Sequence, residues 1–234
     1  YTFIEDLLIF GHFHTSISIM NNYKLLILDF DGTLFATHDA ILFCIKRTYE
    51  TLHMTMPNHD FIDETIRAGL GMEKSLKILS PDLTQQQVNH LLTTYEIIYL
   101  AEGEDKSAPF PKAAEILAKL HAAGFILTVV SNKAVAAVDT ALERIQKKKY
   151  ISIVIGDTKT LRKNPDPMAY TNFIKPKYKD INPKQILMVG DTPADLLFAK
   201  NIGADSCWAE YGYGDETTCL ALNPTYTIKH LADI

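Results

Sequence analysis

Cysteine, tryptophan, cationic excess and long apolar runs are all scarce in this chain of 234 residues. Its three cysteines, Cys44, Cys207 and Cys219, are odd in number and far apart, and no CxxC pair occurs. That pattern excludes a disulfide framework and points to reduced thiols, hence a cytoplasmic setting. No apolar run approaches the ~20 residues of a membrane span, so no membrane partner is expected. Lys and Arg number 23 against 28 Asp and Glu, a net charge of −5. This balance gives no footing for nucleic acid or an anionic surface. Repeats and low-complexity tracts are missing as well. Residues 1–19 are apolar in places, but Glu5 and Asp6 replace the positive start of a signal peptide. They read as an extension of unknown role ahead of Met20.

What is present is a sharp junction. Residues 24–28 are almost continuously apolar and run into Asp29-Phe30-Asp31-Gly32-Thr33. The apolar part predicts a strand buried on both faces, as in a parallel sheet. Asp29 and Asp31 start toward one face and Phe30 toward the other. Gly32 permits a sharp turn. Two carboxylates at the C-terminal end of such a strand stand where open α/β sheets bind ligands. A plain strand-to-turn junction also uses Asp and Gly, but two charges closing a buried strand go beyond it.

A second junction has the same form. Residues 186–189 are apolar and lead into Gly190-Asp191-Thr192-Pro193-Ala194-Asp195. Thr192, Pro193 and Asp195 suit the cap and first turn of a helix. Capping does not account for Asp191. If the two strands are neighbours, Asp29, Asp31, Asp191 and Asp195 meet at one sheet edge. So much negative charge requires a hard cation, and oxygen ligands suit Mg²⁺.

Between the junctions the pattern divides. Helices are expected over 38–53, 59–68, 73–79 and 85–99, with no strand between Leu34 and Ala108. From there helices over 111–122, 133–146, 165–174 and 193–201 alternate with strands over 125–130, 151–155, 185–190 and 205–209. Alternation of this kind predicts a doubly wound parallel sheet. The expected division is a core of residues 20–35 and 109–234, with a helical cap over 36–108.

The Asp29–Thr33 segment resembles the first motif, DxDGT, of the haloacid-dehalogenase-like hydrolase superfamily, and Gly190–Asp195 resembles its fourth, GDxxxD. Ser131-Asn132-Lys133 is similar to the second motif, where a hydroxyl and backbone N–H groups hold a phosphoryl group; Ser131 could equally cap the next helix. The third motif departs from the pattern. Its lysine precedes a Pro-x-Pro segment, and here Asn164 precedes Pro165-Asp166-Pro167. A small shift would bring in Lys163 instead, with Arg162 as runner-up.

The resemblance implies an α/β core of that superfamily with a small α-helical cap, and a Mg²⁺-dependent phosphatase acting on a small phosphorylated metabolite. It implies Asp29 as nucleophile, forming an aspartyl-phosphate, and Asp31 as acid and base. Ser131 and Lys163 would hold the phosphate, helped by Gly32, Thr33 and Asn132. The metal set would be Asp29, Asp31 through its carbonyl, Asp191 and, further out, Asp195. Phosphoglycolate-phosphatase-like members are similar in Pro109-Phe110-Pro111 and in the aromatic-glycine loop Glu210–Gly214, while Lys112 and Thr37-His38 differ from them. Substrate choice is expected in the cap, at His38, Arg67, Lys74 and Gly69-Leu70-Gly71. A phosphosugar mutase on the same scaffold and a catalytically impaired binding protein are the alternative readings. Oligomeric state is left open.

Overall fold

The computed structural model describes residues 20, 22–158, 161–162 and 164–234. The extension 1–19 and Lys163 lie outside the described residues. The first strand, β1 (Leu25–Leu28), is buried throughout. It is followed by two-residue strands β2 (Phe35–Ala36) and β3 (Ala108–Pro109), which pair antiparallel where the chain leaves the core and returns to it. A two-residue ribbon is too short to leave a periodic trace, so the sequence showed no strand there. Then come β4 (Ile126–Ala134), β5 (Ile151–Asp157), β6 (Ile186–Gly190), β7 (Asp205–Ala209) and β8 (Tyr226–Ile228). The main sheet has the order β5-β4-β1-β6-β7-β8, and every pairing in it is parallel.

The period of two along β1 explains its central place. Leu26 and Leu28 pack with Leu117 and Leu120 of the helix Ala113–Ala122 and with Val138 and Leu142 of the helix Val135–Arg144. Leu25 and Ile27 pack on the opposite face with Ile174, Met188 and with Phe198 and Ile202 of the helix Pro193–Ile202. An apolar strand with no polar side is stable only when both faces are covered.

Between β2 and β3 lie four helices: α1 (His38–Thr51), α2 (His59–Arg67), α3 (Met72–Leu79) and α4 (Gln85–Ile98). They carry their own core, in which Cys44, Ile45, Tyr49, Ile62, Leu76 and Val88 are fully buried. Thr84 and Gln87 form the capping box that starts α4. The predicted helix over 85–99 ends one residue early, and a π-helical turn, Tyr99–Gly103, follows it.

Two expectations in the core need revision. The helix predicted over 165–174 begins only at Met168, after a turn, and runs through a π segment, Tyr170–Ile174, into Lys175–Lys177. A residue that precedes proline is disfavoured in the α conformation, so Asn164 and Asp166 delay the helix until after Pro167. The helix Glu216–Ala221 and β8 were not anticipated, because each is too short for its period to register.

Register fixes the site. Leu28 lies opposite Val129 on one side and Val189 on the other. Asp29, Ser131 and Asp191 therefore emerge at one C-terminal sheet edge, where parallel α/β sheets hold ligands. Because β1 anchors both neighbours, Ile27→Ala is expected to lower stability by about 2–5 kcal/mol. Urea denaturation checks this, and an unchanged midpoint would contradict the packing account.

Candidate active site

The turn after β1 is tightly bonded. Asp29 N–H donates to Val189 O at 2.9 Å, and both Leu34 and Phe35 N–H donate to Phe30 O. Phe30 stacks on Phe35 with centroids 4.6 Å apart, beneath the loop. Gly32 has φ +85°, and a Cβ there would come within 2.2 Å of Asp191 Oδ2. Gly212 is held to glycine by the same carboxylate, since its Cβ would fall 2.1 Å from Asp191 Cβ. The two loops thus close on Asp191 from both sides.

Ligand oxygens of Asp29, Asp191 and Asp195 lie within 4.8 Å of one another, and all three residues are buried. Asp191 accepts hydrogen bonds from Thr33 Oγ1 at 3.0 Å and from Tyr213 N–H at 2.8 Å. The indole of Trp208 donates to the Asp191 carbonyl at 2.9 Å. Asp195 accepts from Thr192 N–H at 3.0 Å and from its hydroxyl at 2.7 Å. The capping role of Asp195 is therefore present together with its place in the acidic cluster.

Burial raises all three carboxyl groups, and repulsion from neighbouring carboxylates adds to it at Asp29 and Asp191. Asp29 is held well above the usual range by burial and then by Asp195, Asp191 and Asp31. Asp191 is pushed up to about 8 by burial and by Asp195, against the hydrogen bonds from Tyr213 and Thr33. Asp195 is raised by burial despite its bonds to Thr192 and Asn164. Three buried, converging carboxylates with only oxygen donors fit a small divalent cation such as Mg²⁺.

The carboxylate of Asp31 is not part of that cluster. It pairs at 3.2 Å with Lys133 Nζ, whose side chain is 8% exposed. The same ammonium lies 3.8 Å from the ring centroid of Tyr99 in the π turn. Burial opposes the charge of Lys133, but Asp31 and Tyr99 outweigh it and the pKa is raised. Lys133 is thus a cation at the reaction edge that the sequence reading passed over as part of a motif. Its signal was there, in the residue directly after Ser131-Asn132.

Ser131 does not cap a helix. β4 continues to Ala134, so the next helix begins at Val135 with no side-chain cap. Ser131 Oγ instead accepts from Lys133 N–H at 3.4 Å. Asn132 ties three segments together: its Nδ2 donates to Gly69 O of the cap at 3.0 Å, and its Oδ1 accepts from Asn164 N–H at 3.0 Å. Asn164 Nδ2 in turn reaches Asp195 Oδ1 at 3.4 Å. At the third motif, then, Asn164 is in the site, while Arg162 is exposed and paired with Asp166 at 3.1 Å.

Other expected residues stand further from the chemistry. Gly32 and Thr33 pack on Asp191 and do not line the adjoining cavity. Arg67 is half exposed and bonded to Asp63 at 2.7 Å. His38 contacts the ring of Tyr213 and reaches Asp63 at 2.7 Å. Lys74 borders a separate cleft beside Pro193. The Tyr213 hydroxyl accepts from the N–H groups of Thr37 and His38 at 2.7 and 3.0 Å, serving the start of α1. The aromatic-glycine loop was the available clue to that role.

A cavity of about 260 Å³ lies between the sheet edge and the cap, with Asp29, Asp31, Ser131, Asn132 and Lys133 at its core end. The turn Gly69-Leu70-Gly71 lines it, as expected.

The raised carboxyl groups set a pH dependence. A group whose folded pKa exceeds its unfolded value stabilises the fold at low pH and loses that contribution as pH rises through the folded value. For Asp191 the window runs from 3.8 to about 8. The Tm of metal-free protein is therefore expected to fall from about pH 5 to pH 8, and Mg²⁺ to raise it more at pH 8 than at pH 5. Thermal melts with and without chelator check this, and an equal Mg²⁺ effect at both pH values would contradict it.

The sequence profile of haloacid dehalogenase-like hydrolases matches residues 26–209. A phosphoglycolate phosphatase of Vibrio cholerae is 32% identical over 203 residues, covering 83% of this chain and 87% of its own. That of Vibrio parahaemolyticus is 28% identical, covering 90% and 94%. A solved structure from Haemophilus somnus, described as a predicted phosphoglycolate phosphatase, superposes with a TM-score of 0.80 at 24% identity, covering 92% of this chain and 97% of that one. At that identity the structure speaks for the fold, and the profile match over most of the chain speaks for descent. With the acidic cluster at the expected sheet edge, the chain belongs to the haloacid dehalogenase-like hydrolase family.

Proposed function

We propose that the protein is a Mg²⁺-dependent phosphatase of a small phosphomonoester, working through an aspartyl-phosphate on Asp29. The observation that carries this reading is the separation of two kinds of carboxylate at one cavity floor. Asp29 belongs to the buried acidic cluster, and Asp31 is turned away from it to Lys133. That separation supports a reading in which Asp29 attacks and Asp31 handles protons.

In this reading Asp29 attacks phosphorus and the ester oxygen departs with a proton from Asp31. Water then attacks the aspartyl-phosphate, and Asp31 takes up the proton. Ser131, Asn132 and Lys133 hold the phosphoryl oxygens, with Lys133 supplying positive charge. Asn164 keeps Asn132 and Asp195 in position. Asp29, Asp191 and the Asp31 carbonyl would hold Mg²⁺, with Asp195 beside them. Bound there, the cation would supply positive charge that favours the ionised form of Asp29. Gly32 and Thr33 serve the ester indirectly, through Asp191. The names of the Vibrio relatives support the substrate class, and the free, buried cysteines fit a cytoplasmic location.

Phosphate release from a panel of esters, with Mg²⁺ and with chelator, tests the reading. Asp29→Asn is expected to abolish release with the fold intact by circular dichroism. Asp31→Asn is expected to lower kcat by about 10²–10⁴, and Lys133→Met by about 10²–10³. Near-normal turnover by Asp29→Asn would contradict the assignment.

A further inference from the structure

Glu104 is 8% exposed, and both oxygens of its carboxylate are buried without a hydrogen-bond partner. No other carboxylate among the described residues has both oxygens in that condition. Leaving a buried acceptor unpaired is costly, so the placement calls for a cause. The fold holds Glu104 there firmly. It follows the π turn Tyr99–Gly103, and its N–H donates to Tyr99 O, which sets residue 104 one π turn beyond residue 99. Arg144 donates to the Glu104 carbonyl, to Ser107 O at 2.7 Å and to Ser107 Oγ at 3.1 Å. The guanidinium thus clamps the segment that returns from the cap to β3, and it leaves the Glu104 carboxylate unbonded.

Lys133 has the complementary deficit. Its side chain is 8% exposed, so water offers it little. An ammonium carries three N–H donors, and Asp31 at 3.2 Å and the Tyr99 ring at 3.8 Å do not use them all. The two groups also feel each other. Burial pushes the Glu104 carboxyl up, and Lys133, ahead of Arg144, is the largest influence in the other direction. Asp31 and Lys133 line the cavity and Glu104 does not, so its carboxylate stands behind the ammonium as seen from the substrate side.

We propose that Glu104 is a positioning residue for Lys133, a second seat for the ammonium when an entering phosphoryl group draws it off Asp31. The phosphoryl oxygens compete with Asp31 for Lys133 just when Asp31 is to exchange a proton with the leaving alcohol. A buried cation that loses its carboxylate is strongly disfavoured unless a second one stands by. Glu104 supplies it from the cap side, beside Tyr99. The effect on turnover rests on the phosphatase reading; the effect on the position of Lys133 does not.

Two measurements test this. The first is a crystal structure of the Mg²⁺-loaded protein with inorganic phosphate. Lys133 Nζ is expected within about 3.2 Å of a Glu104 carboxylate oxygen. Lys133 still on Asp31, with Glu104 still unbonded, would overturn the proposal. The second is a double-mutant cycle on ester hydrolysis, with folding checked by circular dichroism. Glu104→Gln is expected to lower kcat about tenfold to a hundredfold, with KM within about twofold. Its Tm should not fall, because the variant removes a buried unpaired charge. In a Lys133→Met background the same change should cost less than about twofold, since the residue it acts through is gone. Losses that simply multiply, or a lower Tm with unchanged kcat, would mark Glu104 as structural and overturn the proposal. No phosphate release from any ester, with Lys133 seated on Glu104, would count against the phosphatase reading alone. Normal turnover by Glu104→Gln, with Asp29→Asn inactive, would count against the positioning role alone.

Discussion

Three carboxylates forced together out of water are the constraint around which the rest of the molecule is arranged. Asp29, Asp191 and Asp195 repel one another and are all denied solvent, so each is pushed toward its protonated form. The fold supplies partial relief. Thr33, Tyr213 N–H, Thr192 and Asn164 direct donors at Asp191 and Asp195. Two glycines let both loops approach Asp191 closely. These donors do not cancel the repulsion, and what remains is the binding energy available to a small divalent cation. The central position of β1 is what makes the convergence possible, since its two parallel neighbours deliver Ser131 and Asp191 to the same edge.

The second arrangement is the division of labour across Lys133. It holds the Asp31 carboxylate away from the acidic cluster, and Tyr99 shields its other side. Tyr99 belongs to the π turn after α4, so a cap element shapes the electrostatics of the core. Asn132 makes the reverse connection, donating to Gly69 of the cap. The cap therefore shapes the electrostatics of the acidic edge as well as lining the cavity, and its apolar lining keeps the local dielectric low, which strengthens every charge interaction at the floor.

Much of this was legible in the amino-acid order. The run into Asp29 and the run into Asp191 have no polar side, and only a central parallel strand buries both faces, so the sheet and its acidic edge followed from pattern. The helical stripes of α1 to α4 were long enough to read within a residue or two. What escaped were features set by three-dimensional contact. β4 runs on through Ser131 to Ala134, which pairs with Asp157 of β5, and a local capping signal cannot report that. Arg67 was a candidate for the substrate because of its charge, yet its i,i+4 neighbour Asp63 holds it. Lys133 and Tyr99 are far apart in sequence and gain meaning only together. At the third motif Lys163 lies outside the described residues, while Asn164 is bonded to Asp195.

The central claim is that Asp29 carries the phosphoryl group during turnover. The most direct measurement is borohydride reduction of an acid-quenched reaction, followed by peptide mass spectrometry, because an aspartyl-phosphate is reduced to homoserine at the modified position. The account predicts homoserine at position 29 with substrate present, and none in Asp29→Asn. Phosphate release with no homoserine at position 29, or with homoserine at position 31, would contradict it.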